Sequence, residues 1–392
     1  MTGWRGTTVD FEYPQEAERY REKVRAWLAD HPSPSARELA EAGYVAPHWP
    51  RPYGLDASPV EQLVIDEEFR AARVDRPQNG IAIGWAGPTI IYAGDQAQMD
   101  RYLLPLLSAE EIWCQLFSEP GAGSDLAGLS TRAERDGDEF IVNGQKIWTS
   151  GGHLSKYGIL LARTNPDVPK HEGITYFICP MDTPGIEVRP IIEMTGQHLF
   201  NEVFFDDVRI PAENVVGEVN KGWHLAKVTL GNERVSLSRE GALWGMGPTA
   251  RDLVNQVIAA GGTQDPVERQ RLVRLYIESE LLRLIRLRTI SAAVAGKLPG
   301  PEASIRKALS DEHGKAVMGL AKYFAGSAGM LTDENDFNTF WHHGFLFSTA
   351  LTVGGGTSEV QRNIIGERVL GLPKDIDAEM GKTWAEARVA IG

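Results

Sequence analysis

Cysteine is almost missing from this chain, with two in 392 residues. Cys114 and Cys179 sit in the apolar runs WCQLF and YFICPM and read as small buried hydrophobes. No disulfide framework follows, and the reducing cytoplasm is the expected compartment. Long apolar runs are missing too: nothing approaches the roughly 18 residues that a membrane span needs. The opening MTGWRGTTVDFEYPQ lacks a charged head followed by an apolar core, so no signal peptide is read. Basic charge is in deficit, with 40 Lys and Arg against 53 Asp and Glu and a net charge of −13. That balance argues against nucleic acid, whose phosphates need a basic face, yet leaves room for an anionic ligand at a local cluster of Arg or Lys or a helix N-terminus. Metal and nucleophile signatures are equally thin. His171-Glu172 lacks the second histidine of H-E-x-x-H, His342-His343 is read as surface or core, and no G-x-S-x-G elbow occurs; no metal is expected.

What is present is an ordinary globular composition, 42% hydrophobic and 24% charged, over a length that calls for two or three packed units. The periodicity changes twice. From Tyr13 to Glu111 apolar residues recur at helical spacing. Ala17–Ala29 carries Tyr20, Val24, Trp27 and Leu28, and Ser58-Pro59-Val60-Glu61 opens a helix with an N-cap serine and a glutamate behind it. Ile81–Ala93 is apolar almost all round, and Gln96–Leu107 completes the unit. From Trp113 to about Val216 the period becomes two. Strands are expected at Trp113–Phe117, Phe140–Val142, Gln145–Thr149, Tyr157–Arg163, Ile174–Met181, Ile186–Ile192 and Glu202–Phe205, with a hairpin turning at Asn143-Gly144. Helices then return. One is expected to begin at Asn232, and a strong one opens at Asp265-Pro266 with Leu272, Tyr276, Leu281, Leu284 and Ile285 as its apolar stripe. Glu302–Ser327 and Thr357–Leu370 follow. The expected fold class is α+β: an N-terminal α-helical domain (1–112), a middle antiparallel β-domain (113–218), barrel or sandwich, and a C-terminal helical bundle (219–392).

The most informative stretch is Trp113–Gly152, WCQLFSEPGAGSDLAGLSTRAERDGDEFIVNGQKIWTSGG. An apolar strand breaks at Ser118-Glu119-Pro120 into a glycine-serine loop, and a later strand runs out through Trp148 and Ser150. Small hydroxyls, a flat indole and free backbone N–H groups suit a planar, phosphate-tailed cofactor. Gly121-x-Gly123 is half of a dinucleotide fingerprint, but the third glycine is missing and strands follow where a phosphate-facing helix should start. On residue types alone, an ordinary turn with Trp148 as a core aromatic serves as well. SEPGAGSD followed by NGQKIWTSGG, however, resembles the paired flavin-binding signature of the acyl-CoA dehydrogenase family. The α–β–α order resembles that family over nearly the whole chain.

The resemblance implies FAD as cofactor, an acyl-CoA substrate dehydrogenated at its α,β carbons, electrons passed to an electron-transferring flavoprotein, and a tetrameric assembly. Position by position, it puts the backbone of Gln115, Leu116 and Phe117 along the flavin ring and the Ser118 hydroxyl at its pyrimidine edge. Gly123 and Ser124 fall at the pyrophosphate, Trp148 against the ring, and Ser150 facing N5. The C-terminal GTSEVQR brings Thr357 and Glu359 to the cofactor, and Thr357 also reads as a helix cap.

Two departures from the family pattern stand out. Where many members carry a glutamate base two residues before that threonine, this chain has Gly355, which is assigned to substrate lining instead. A branch that includes isovaleryl-CoA and long-chain enzymes supplies the base from the start of the C-terminal unit, and the matching stretch here offers Glu233, with Arg234 near the thioester. The bland alternative is that Asn232 caps a helix and Glu233 favours its positive N-terminus, with Arg234 an ordinary surface arginine. The second departure is the absence of the R-x-x-F-G and Q-x-x-G-G motifs that reach a neighbouring subunit's FAD. Either a homo-oligomer uses substitute contacts, or a second acyl-CoA dehydrogenase-like chain completes the site, as in some actinobacterial steroid-degrading relatives; the second is favoured. A non-catalytic subunit of such a heteromer, and another flavin oxidase or oxygenase reaction on the same fold, remain the rival functions.

Overall fold

The computed structural model describes residues 13–236, 242–244, 246–294, 300–301, 303–331, 337–376 and 378–389. The chain divides into two compact units, residues 1–78 with 107–109, and residues 79–106 with 110–392.

In the first unit the helical spacing yields α1 (Gln15–Asp30), α2 (Ala36–Glu41) and α3 (Pro59–Ala72). Ser58 caps α3 through the expected box: its hydroxyl accepts from the Glu61 N–H, and the Glu61 carboxylate takes the Ser58 N–H at 2.7 Å. Trp27 packs against Tyr44 and Phe69. The buried Glu68 ties α3 to α1 by accepting from Arg21 at 2.8 Å and Arg25 at 2.7 Å. One carboxylate thus satisfies two guanidinium groups, which is how a buried charge is tolerated.

The second unit opens with α4 (Gly87–Ala93) and α5 (Gln96–Leu107). A single seven-stranded sheet follows: β1 (Trp113–Leu116), β2 (Arg132–Asp136), β3 (Glu139–Lys146), β4 (Tyr157–Arg163), β5 (Ile174–Pro180), β6 (Ile186–Pro190) and β7 (Asn201–Pro211). The strand order is β1-β4-β2-β3-β7-β6, with β5 on β4. Pairing is mostly antiparallel, but β1 runs parallel to β4, and β2 joins β4 in parallel through one pair, Arg132 with Arg163. Leu116, Phe140, Val142, Leu160, Phe177, Val203 and Ile210 form the buried core of this sheet.

The expected hairpin at Asn143-Gly144 is not there. The turn lies between Asp136 and Glu139, where Gly137 takes a positive φ of 62°, and β2, absent from the expected strands, pairs with β3. The long β7 keeps β3 continuous through Asn143-Gly144, and the pair is absorbed as a bulge: Val142 faces Val208 while Gly144 faces Phe205. Asn143 and Asp207 fasten this bulge by two hydrogen bonds of 2.9 and 3.0 Å. Gly144 has φ of 152°, and a Cβ there would come within 2.7 Å of the Thr131 Cα. A strong local turn signal loses to eleven residues of strand partner.

The helices after the sheet are α6 (Gly222–Ser236), α7 (Ala250–Ala259), α8 (Pro266–Val294), α9 (Ala303–Ala325), α10 (Phe337–Phe347), α11 (Ser358–Ile364) and α12 (Trp384–Val389). Asp265 caps α8, accepting from the Val267 N–H at 2.8 Å. Of the stripe expected on α8, Leu272 is buried, whereas Tyr276, Leu281 and Leu284 stay exposed in the single chain.

One buried ion pair holds the ends of β1 and β3 together. Lys146 is wholly buried and reaches the nearly buried Glu119 at 2.8 Å and the Phe117 carbonyl at 3.0 Å. Glu119 also accepts from the N–H groups of Ser130 (2.6 Å) and Thr131 (2.9 Å). Burial by itself would raise the Glu119 carboxyl, but Lys146 and these donors hold it below its ordinary value of 4.5.

Three outcomes are expected in urea unfolding. Lys146→Met strands a buried carboxylate and costs about 3–5 kcal/mol, and adding Glu119→Gln recovers part of the loss. Because the folded Glu119 carboxyl is depressed, its contribution is present above the unfolded value and is lost as pH falls through the folded one; Glu119→Gln should flatten that acid limb. Gly144→Ala should destabilise by about 2 kcal/mol or more through the clash with Thr131.

Candidate active site

The helix expected to begin at Asn232 begins ten residues earlier, at Gly222. Gly222 allows it: a Cβ there would lie 2.6 Å from the backbone of Thr175 and Tyr176, so the helix starts hard against β5. Gly231-Asn232 looks like a break in sequence, but packing on the sheet carries α6 through it. Asn232 is therefore not a cap, and Glu233 lies eleven residues into α6, away from the positive N-terminus. Leu225, Ala226, Thr229 and Glu233 share the buried face of the helix, and Glu233 is only 6% exposed.

Three hydroxyls set the pitch of α6 one turn before Glu233. Thr229 bonds Thr89 of α4 at 2.8 Å and Tyr176 of β5 at 3.1 Å, all three buried. Gln115 of β1 then points its amide at the carboxylate, with Nε2 donating to Glu233 Oε2 at 3.4 Å. The sequence reading used only the backbone of Gln115; its side chain is the part that meets Glu233. Leu116 and Phe117 turn their side chains into the core. Arg234 is in α6, and its side chain lies outside the described residues.

Three residues along from Gln115, the half-buried Ser118 accepts the Ile147 N–H on its carbonyl at 2.9 Å, which brings β1 and the end of β3 side by side. Trp148 follows, 57% exposed, with φ of 61°. A bulky aromatic in the left-handed region is strained, and strain of this kind collects at binding sites. The reading of Trp148 as a core aromatic fails: its indole presents a face to solvent, with Phe200 edge-on at 6.0 Å. Asn201 fixes the turn behind it, exchanging backbone hydrogen bonds with Thr149 and donating its amide to the Thr149 carbonyl at 3.0 Å. Ser150 is half-buried, and the adjacent Thr149 is fully buried with a hydroxyl that has no hydrogen-bond partner. The sequence reading passed over Thr149; a second hydroxyl in WTSGG was the available signal. It also passed over Lys146, whose signal was a lysine at a core position of a period-two strand.

Gly123 and Ser124 are exposed on the loop after Glu119, with nothing within 4 Å of a Cβ built on Gly121 or Gly123. The C-terminal candidates form a second group, and the hydrogen bonds that hold them run within the helical bundle. Gly355 has φ of 68°, its carbonyl accepts from the buried Gln361 at 3.0 Å, and it carries no proton-transfer group. Thr357 caps α11, accepting from the Val360 N–H, and Glu359 is exposed beside Arg362 at 3.5 Å. Beneath this turn the buried Lys307 pairs with Asp311 and donates to the carbonyls of Leu351 (3.1 Å) and Gly354 (2.9 Å). Burial pushes Asp311 up to about 6 against the pull of Lys307.

The chain matches the N-terminal domain of acyl-CoA dehydrogenases over residues 14–110, the middle domain over 114–208 and the C-terminal domain over 220–370. It is 44% identical over 337 residues to acyl-CoA dehydrogenase FadE34 of Mycobacterium tuberculosis, covering 86% of this chain but 46% of that protein. It thus spans about half the length of FadE34. Acyl-CoA dehydrogenase IpdE1 of the same organism is 38% identical over 391 residues, covering 92% of this chain and 99% of its own. Among solved structures, the Tcur3481-Tcur3483 steroid ACAD superposes with a TM-score of 0.77 at 31% identity, covering 94% of this chain and 100% of that one. The ChsE4-ChsE5 complex from M. tuberculosis gives 0.74 at 31% identity, with the same coverage of 94% and 100%. On these matches, which run through all three domains, the chain belongs to the acyl-CoA dehydrogenase family.

Proposed function

We propose that this chain carries out FAD-dependent α,β-dehydrogenation of an acyl-CoA thioester, with Glu233 as the base and an electron-transferring flavoprotein as electron acceptor. The observation that supports this most directly is a buried carboxylate, Glu233, facing the Gln115 amide on the strand that leads to Ser118. The exposed indole of Trp148 and the partnerless Thr149 hydroxyl fit a planar, hydrogen-bonding cofactor. FAD, when bound, supplies the acceptor for the β-hydride. The protein does the rest. Ser118 and Ser150 offer hydroxyls to the ring edges, the Gln115–Phe117 backbone lines it, and Trp148 covers it. Gly123, Ser124, Thr357 and Glu359 serve the rest of the cofactor.

The α-proton of a thioester is weakly acidic, so the base must sit within hydrogen-bond reach of it. The packing of α6, fixed by Thr229, Thr89 and Tyr176, holds Glu233 for that task, and Gln115 donates to its Oε2. Glycine at position 355 leaves room where other family members place a carboxylate, so the acyl group is bulky or branched, of the size of a steroid side-chain thioester, with Arg234 near the thioester. The Tcur3481-Tcur3483 steroid ACAD supports that choice by similarity. The missing adenine and pyrophosphate motifs, with the ChsE4-ChsE5 complex as a structural neighbour, favour a heteromeric tetramer with a second acyl-CoA dehydrogenase-like chain. We keep 1–112, 113–218 and 219–392 as the functional division of the chain. The free, buried Cys114 and Cys179 favour the cytoplasm, and among the described residues no helix is long and apolar enough to cross a membrane. Gly355 also favours a second reading, a half-site subunit without chemistry of its own.

Glu233→Gln separates the two. It should retain FAD by its visible absorbance and lose turnover by about 10²–10⁴-fold; undiminished turnover would refute the assignment. Purified without a partner, the chain should be poor in FAD and should fill when the second chain is co-expressed. A fully loaded homo-oligomer would count against the heteromer.

A further inference from the structure

The match to the C-terminal domain stops at residue 370, yet the chain beyond it returns to the β-domain and takes hold of one loop. The Trp384 and Ala385 N–H groups donate to the carbonyls of Val168 (2.8 Å) and Pro166 (3.0 Å), just past β4. Arg388 donates to the Gly128 carbonyl and the Ser130 hydroxyl, both at 2.5 Å, and the Trp384 indole N–H donates to the same Gly128 carbonyl at 3.4 Å. Lys170 sits between Glu379 at 2.7 Å and Asp125 at 3.0 Å. From the core side the buried Arg163 donates to the Ala127 carbonyl at 2.6 Å and lies 5.0 Å from the Trp384 ring. Residues 125–130 are therefore gripped on one side by Arg163 and on the other by a strap more than 250 positions along the chain.

The gripped segment continues directly from the exposed Gly123 and Ser124, and a Cβ added at Gly121 or Gly123 would meet nothing within 4 Å. A glycine-rich loop pays conformational entropy when it closes on a ligand, and anchoring its far end beforehand reduces that cost. Arg388 brings a positive charge to the loop that the cofactor's phosphates would approach, while Glu379 of the same segment holds Lys170 beside Asp125. We propose that Trp384 and Arg388 are positioning residues that pre-order the 121–130 loop for the phosphate tail of the flavin cofactor. The proposal rests on the reading of Gly123 and Ser124 as cofactor contacts. It makes cofactor retention depend on a segment outside the part of the chain that matches the family.

The test titrates FAD into the apoprotein co-purified with its second chain, followed by flavin fluorescence, alongside the melting temperature of the same apo-assembly. Arg388→Met and Trp384→Leu should weaken FAD binding about tenfold, roughly the worth of one charge-assisted hydrogen bond, with the apoprotein melt nearly unchanged. Arg388→Lys should recover part of the affinity. In the same variants, limited proteolysis should cut first within 121–130. Ser124→Ala distinguishes the two levels of the argument. If Ser124→Ala weakens FAD binding while Arg388→Met does not, the strap is overturned and the cofactor reading stands. If neither variant changes FAD affinity, both are overturned.

Discussion

The Lys146–Glu119 pair is the constraint on which the proposed flavin site depends. Two charges are taken out of water, which is costly, and the cost is met by dense satisfaction: Lys146 also bonds the Phe117 carbonyl, and Glu119 also takes the Ser130 and Thr131 N–H groups. The pair is therefore a three-way junction between the end of β1, the end of β3 and the start of β2. Because that junction is rigid, Ser118 and Ile147 can lie side by side, and Trp148 can be held at a positive φ with its indole outward. A neutral pair would pack the core at lower cost but would not gather so many backbone groups to one point.

A second layer of constraint acts on the carboxylate. Glu233 lies eleven residues into α6, beyond the reach of the helix's positive N-terminal end, so its placement comes from packing. Gly222 lets α6 start against β5, the Thr89, Thr229 and Tyr176 hydroxyls fix its rotation, and Gln115 meets the carboxylate from β1. The glycine turn at 354–356 is treated differently. Lys307 and Gln361 hold its carbonyls from below, so it is a braced turn whose composition removes a side chain rather than adds one.

Much of the fold was legible because local and global preferences agree. The Ser58 box, the Asp265-Pro266 start and the period-two run Tyr157–Arg163 all stand where the residues call for them. The failures occur where they conflict. Asn143-Gly144 has the chemistry of a hairpin but becomes a bulge, because β7 offers a continuous partner on both sides of it. Gly231-Asn232 has the chemistry of a helix break but lies inside α6, because the sheet supports the helix through it. In the candidate site, the two motifs that resemble the family's flavin signature pointed to Ser118, Trp148 and Ser150. They gave no sign that the side chain of Gln115, rather than its backbone alone, would matter, nor that α12 would come back to the 121–130 loop.

Sequence alone determined the α–β–α plan, the glycine at position 355, and the SEPGAGSD and NGQKIWTSGG motifs that carry the family resemblance. These follow from composition, period and short motifs, each contained within a few tens of residues. Only the tertiary structure decided that Glu233 is buried on α6 facing Gln115, that Trp148 points outward under strain, and that Trp384 and Arg388 close on Gly128 and Ser130. Those depend on which surfaces meet across more than a hundred positions of chain, and no local pattern carries that information.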